Sequence, residues 1–106
     1  IEHIDPLATF FAATTRQDMN HWPAGGFLPD QTVSPGMAIY AMTSGAAYSA
    51  FGEETYGSIA LGQQANFTIL NTNLWNHSPT LRKNTHVVKT IVGGEVLYDR
   101  NSNKGR

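Results

Sequence analysis

Cysteine is absent from the 106-residue chain, so neither a disulfide framework nor a thiolate metal site can be built from it. An excess of basic charge is missing too. Seven Lys and Arg stand against eight Asp and Glu, a formal charge of −1, which leaves no electrostatic footprint for nucleic acid. No uninterrupted apolar run exceeds a few residues, whereas a membrane-spanning helix needs about 20. Charged residues make up only 14% of the chain and apolar ones 41%, a globular balance that excludes a disordered tail. The four histidines, His3, His21, His77 and His86, lie 18, 56 and 9 residues apart and match no local zinc spacing. Ile1 to Pro6 holds two acids and no basic stretch, so we expect no secretory leader there. The lack of cysteine leaves the compartment open, with a cytoplasmic location favoured over export. The length suits one small domain with a single core.

What is present changes period along the chain. Asp5-Pro6 is a helix start, because Asp can accept from exposed backbone N–H groups and Pro suits the first helical position. Leu7, Phe10, Phe11 and Thr14 follow at helical spacing among alanines, which predicts a helix to about Arg16 or Asp18. Residues His21 to Gln31 contain two Pro, two Gly and the run HWPAGGF and read as a loop. Ser34-Pro35 is a second start. It leads into a short helix through Met42, an interruption at Gly45, one or two further turns, and a stop at Gly52. Phe67–Leu70 then reads as a strand and His86–Ile91 as a β-branched one. Gly93-Gly94 is a hairpin turn, and Glu95–Tyr98 is the returning strand. Residues 72–85 are expected to form a loop, and the polar end 101–106 a frayed tail. The expected order is helix, loop, helix pair, then three or four strands. So small a sheet has two edges and needs another layer on its apolar face.

Four stretches in this order resemble one family. Tyr56–Leu70, YGSIALGQQANFTIL, is similar to the "GSI-x-x-G-K-x-A-D" signature of metal-dependent amidohydrolases, and Val88–Tyr98, VKTIVGGEVLY, to their carboxy-terminal "T-hydrophobic-V-G-G" signature. Asp5-Pro6-Leu7 with Ala13-Thr14-Thr15-Arg16 resembles a helix of the amidohydrolase-3 branch, and Ser34 through Ala50 its following segment. Gln63 and Asn66 stand where the family usually has Lys and Asp, two neutral amides for two charges. The motif residues read as structural: Gly57, Gly62, Gly93 and Gly94 supply turns, and none of the motifs supplies a nucleophile or metal ligand.

The resemblance implies a parent with a distorted TIM barrel beside a small β-sandwich assembled from both ends of the polypeptide. On that basis the fold class is an α+β fragment. Residues 1–52 would be the helical end of the barrel with connecting helices, residues 53–100 the carboxy-terminal strands of the sandwich, and 101–106 the tail. It further implies a hydrolase acting on non-peptide C–N bonds through hydroxide activated by a divalent metal, zinc foremost. The metal ligands would lie upstream of Ile1, so this chain is expected to hold no metal and to be inactive alone. Its expected partners are the missing amino-terminal part of its own chain, or a second copy by dimerisation or strand exchange. Neither nucleic acid nor a membrane is expected. The other reading is a non-catalytic interaction or regulatory module derived from the same fold.

Three residues are candidates for the rim of the parent's active site. His3 and Glu2 would sit on the loop after the eighth barrel strand, where substrates bind in such folds, beside Asp5 as a helix cap. Arg16 could anchor a substrate carboxylate, or serve as a helix-end cation or ion-pair partner. His21 and Trp22 could wall a pocket or pack their loop, while His77 and His86 read as solvated or structural. The triplets at Asn66-Phe67-Thr68 and Asn76-His77-Ser78 match the glycosylation pattern, but it is short enough to arise by chance, and we read both so.

Overall fold

A computed structural model describes residues 4–76 and 81–102. Nine elements follow in order: α1 (Pro6–Thr15), a 3-10 turn (Pro29–Gln31), α2 (Pro35–Met42), α3 (Ser44–Ser49), β1 (Phe67–Leu70), α4 (Leu81–Asn84), β2 (Val87–Val92), β3 (Glu95–Asp99) and a second 3-10 turn (Arg100–Ser102). Among the described residues no helix is long and apolar enough to cross a membrane. The chain divides into two compact units, residues 1–39 with 74–84, and residues 40–73 with 85–106. The junction falls within α2.

In the first unit, Asp5 starts α1 as its sequence suggests. Its backbone is extended and its Oδ1 accepts the Leu7 N–H at 2.9 Å, satisfying one donor that the helix leaves over. The helix stops at Thr15, slightly earlier than expected. Arg16 turns left-handed there, φ 59°, and donates its N–H to the Ala12 carbonyl. Phe10 and Phe11 are buried edge to face, ring centroids 5.1 Å apart, a geometry favoured by the charge distribution of the rings. They form the core with Ala38, and Leu7, Ala13, Met19, Ile39 and Leu74 pack around them. The Thr14 and Thr15 hydroxyls, next to this core, donate back to the Phe10 and Phe11 carbonyls, so neither polar group is buried unpaired. Ser34 caps α2 by accepting the Met37 N–H at 3.1 Å, the start read from Ser34-Pro35. Residues 81–84, expected as loop, form the single turn α4.

The second unit begins with the break between α2 and α3. The break falls at Thr43, φ −118° and ψ −88°, and Gly45 lies inside α3 rather than interrupting it. The stop is displaced as well. Phe51, not Gly52, adopts the left-handed conformation, φ 59°, and the Gly52 N–H returns to the Ala47 carbonyl at 2.8 Å. Gly52 is needed for space, since a Cβ there would run into the Tyr56 ring. Residues 53–66, which hold the first signature up to β1, form turns and bends rather than strand. Gly57, φ 108°, passes so near α3 that a Cβ would lie 2.5 Å from that of buried Ala47, and its carbonyl accepts the Ser44 hydroxyl at 3.0 Å.

Three strands follow in one antiparallel sheet of order β1-β2-β3. β1 lies where expected, and β2 and β3 each shift or lengthen by one residue at an end, a normal uncertainty for element boundaries. Gly93 and Gly94 both have positive φ, 59° and 82°, as a two-residue turn matching the twist of the strands requires. In β1 against β2 the register passes from Ile69↔Lys89 to Leu70↔Val87, leaving Val88 as an extra residue of β2. In β2 against β3 it passes from Thr90↔Tyr98 to Ile91↔Val96, leaving Leu97 as an extra residue of β3.

Gly57 and Gly62 therefore differ in what they are for. Gly62 has φ 88° but open space where a Cβ would go. Gly62→Ala is expected to destabilise by about 1–2 kcal/mol from conformation alone, and Gly57→Ala by about 3 kcal/mol or more because a steric overlap is added. Urea unfolding of the two variants measures the difference, and equal losses would show that the approach to Ala47 is slack.

Candidate functional site

The rim candidates Glu2 and His3 lie outside the described residues, as does His77. Arg16 is described, and its side chain is turned onto its own loop. Nε donates to the Phe27 carbonyl at 2.8 Å, and the guanidinium carbon lies 5.6 Å from the centre of the Phe27 ring. The backbone repeats the connection: Phe27 N–H donates to the Arg16 carbonyl at 2.9 Å. Three contacts thus close residues 16–27 into one loop. A directional bond through Nε together with a stacked face is a use that suits Arg and not Lys.

Inside that loop, Asp18 Oδ1 accepts from both Asn20 N–H and Trp22 N–H, at 2.8 and 3.0 Å, and Gln17 Nε2 donates to the Pro23 carbonyl at 3.0 Å. His21 has φ 65° and Trp22 precedes a cis proline. Trp22 is 71% exposed in this chain. His86 immediately precedes β2 and is bracketed by Asn71: its N–H donates to Asn71 Oδ1 at 2.7 Å and its carbonyl accepts from Asn71 N–H at 3.2 Å. Among the described residues, no three His, Asp or Glu side chains are grouped so as to hold a metal ion.

The residues that do converge are those of the two signatures, and their joint was not foreseen from sequence. Asn66 Oδ1 accepts the Gly93 N–H at 2.8 Å, and the Ala65 carbonyl accepts the Gly94 N–H at 2.9 Å. The end of the first signature therefore holds the hairpin tip of the second. An oxygen at this position is what the joint needs, and Asn offers the same acceptor as the family's usual Asp. Gln63 does something different. Its Nε2 donates to the Glu53 carbonyl at 2.9 Å, while its Oε1 is buried without a hydrogen-bond partner among the described residues. A Lys there would supply the donor and bring no orphaned acceptor. Asn66 and Gln63 thus bond to different backbone groups. The only ion pair found among the described residues, the part-exposed Lys89–Asp99 at 4.0 Å, adds little.

Two substitutions test these roles. Asn66→Ala is expected to cost about 1–2 kcal/mol by leaving the Gly93 N–H without its acceptor, while Asn66→Asp stays within about 0.5 kcal/mol of the parent. Chemical denaturation reads both, and equal losses would mean that the acceptor does not matter. Arg16→Lys keeps the charge but is expected to speed amide exchange at Phe27 about as much as Arg16→Ala does. Full protection in the Lys variant would show that charge alone closes the loop.

Comparison with known proteins places this geometry in context. A family profile described as the amidohydrolase family matches residues 1–98. The putative amidohydrolase YtcJ of Bacillus subtilis is 26% identical over 100 residues, covering 94% of this chain and 19% of that protein. The protein LONG AFTER FAR-RED 3 of Arabidopsis thaliana is 36% identical over 72 residues, covering 68% of this chain and 12% of that protein. The chain thus spans less than a fifth of the length of these relatives. No solved structure gives a significant match.

Proposed function

The chain belongs to the amidohydrolase family, and from that premise we propose that it is the carboxy-terminal structural portion of a larger hydrolase. The parent would cleave a non-peptide C–N bond, of amide or formamide type, with hydroxide activated by a divalent metal such as zinc. The described residues of this chain supply no set of donors that fits such a metal; by the family resemblance, its ligands would belong to the remainder of the parent. In this reading residues 1–52 close the helical side of the parent's barrel and residues 53–100 contribute strands to its accompanying β-layer.

One observation carries the proposal: the family match runs through nearly the whole chain, yet that chain corresponds to only 19% of YtcJ. What the chain itself offers is architecture. The joint of the Asn66 side chain with the Gly93-Gly94 turn, and the seat of Gly57 against Ala47, hold turns in place and present no reactive group. The amino-terminal part of the parent would then be the principal partner. A second reading, a regulatory module without catalysis, draws on the Arabidopsis relative, whose name describes no enzymatic activity.

Equilibrium dialysis of the 106-residue chain with zinc or manganese is expected to show no stoichiometric binding, and the parent is expected to lose amide hydrolysis on chelation and regain it on metal addition. Tight, one-to-one binding by the 106-residue chain would overturn the structural reading. A parent without hydrolase activity, whose upstream sequence lacks a paired-histidine metal motif, would establish the regulatory one.

A further inference from the structure

The turns between α3 and β1 carry Phe51, Ile59 and Leu61 in water. Leu61 is fully exposed, and Phe51 and Ile59 nearly so. The backbone beneath them is nonetheless held. Phe51 N–H donates to the Tyr48 carbonyl at 3.1 Å and Tyr56 N–H to the Gly52 carbonyl at 3.0 Å. The Ser44 hydroxyl donates to the Gly57 carbonyl, and Gln63 N–H closes a turn on the Ala60 carbonyl at 3.1 Å. Phe51 moreover sits at φ 59°, a left-handed conformation that costs a bulky residue about 1–2 kcal/mol. A ring held in that conformation and left in solvent adds no burial to this chain. Strain of this kind is found where a residue is set up for a contact.

We propose that the part of the parent polypeptide outside these 106 residues packs over Phe51, Ile59 and Leu61, with the turns between α3 and β1 as its seat. The inference rests on the reading above that the chain is a portion of a larger hydrolase. Two observations select this occupant over a second copy. The chain spans less than a fifth of the length of its relatives, so on that reading most of the parent is available to cover these side chains. Area decides the rest. At about 1.5–3 kcal/mol for burying each, the three amount to a few hundred Å², whereas each partner in a stable separate complex buries about 800 Å². A covalently joined segment needs far less, because its encounter is intramolecular and little freedom is lost on docking.

Thiol labelling tests this, because these 106 residues contain no cysteine. Ile59→Cys and Leu61→Cys are made singly in the full-length parent and treated with a maleimide, and the labelled peptide is followed by mass spectrometry. Both thiols should react about ten-fold or more slowly in the folded parent than in the same protein unfolded in urea. Hydroxyl-radical footprinting of the unmodified parent provides a measurement free of folding defects, and there Phe51 should be protected from oxidation. Labelling in the folded parent as fast as in urea, or oxidation of Phe51 at the rate of an exposed ring, would overturn the proposal. So would protection that appears in the 106-residue chain alone and rises with its concentration, which would make a second copy the occupant. Fast labelling in a parent that hydrolyses amides with metal would sink this inference and leave the hydrolase reading standing. Protection in a parent without hydrolase activity would do the reverse.

Discussion

The bond from Gly93 N–H to Asn66 Oδ1 is the constraint on which the second unit depends. A two-residue turn with both residues left-handed suits the twist of its strands and sets their register. Here the tip is also fastened to Asn66, the residue just before β1, with the Ala65 carbonyl holding the other turn glycine. One short contact fixes where β1 begins, where the hairpin ends and how the two register against β2. The turns of residues 53–64 are tied in from the other side, where Gln64 N–H meets the Thr55 carbonyl at 2.7 Å and Gln63 reaches Glu53. Asn66 and Gly93, 27 residues apart, thereby tie the two stretches into one mechanical part.

Burial is distributed unevenly. Phe10, Phe11, Ala38 and Ala47 are the apolar residues buried among those described, while Phe51 is 93% and Ile59 86% exposed. Each large side chain left in water forgoes about 1.5–3 kcal/mol that burial would contribute. Scattered apolar exposure is ordinary on any protein. Residues as exposed as Phe51 and Ile59, on turns otherwise held tightly by backbone bonds, are what a piece of a larger assembly presents. The same economy accounts for the dependence on capping and close glycine contacts: with so small a core, local bonds carry a larger share of the order.

Much of this was legible in the sequence where the signal is local. Asp5-Pro6 and Ser34-Pro35 start helices, Gly93-Gly94 turns a hairpin, and Phe67–Leu70 pairs as a strand, because each is decided by neighbouring residues. The family was legible for the same reason, through ordered short motifs. What was misread depended on neighbours distant in sequence. Gly45 and Gly52 looked like breaks, but Thr43 and Phe51 take the unusual conformations, since Gly52 is reserved for the close approach of Tyr56. Arg16 read as a carboxylate anchor, a helix-end cation or an ion-pair partner, and only the fold brings the Phe27 carbonyl and ring to it. The orphaned oxygen of Gln63 could not have been anticipated either, because burial of a single atom is a property of packing.

The closure of residues 16–27 by Arg16 and Phe27 has an evolutionary side. A loop whose two ends are clamped to each other transmits little of its own length to the helices it joins. Doubling such a loop raises its closure cost by only about 0.6 kcal/mol, and α1 and α2 need not move to accommodate it. The segment from Asp18 to Gly25, with Trp22 at its surface, is therefore a place where descendants of this chain can gain or lose residues, or acquire a new recognition surface, while the framework beneath stays as it is.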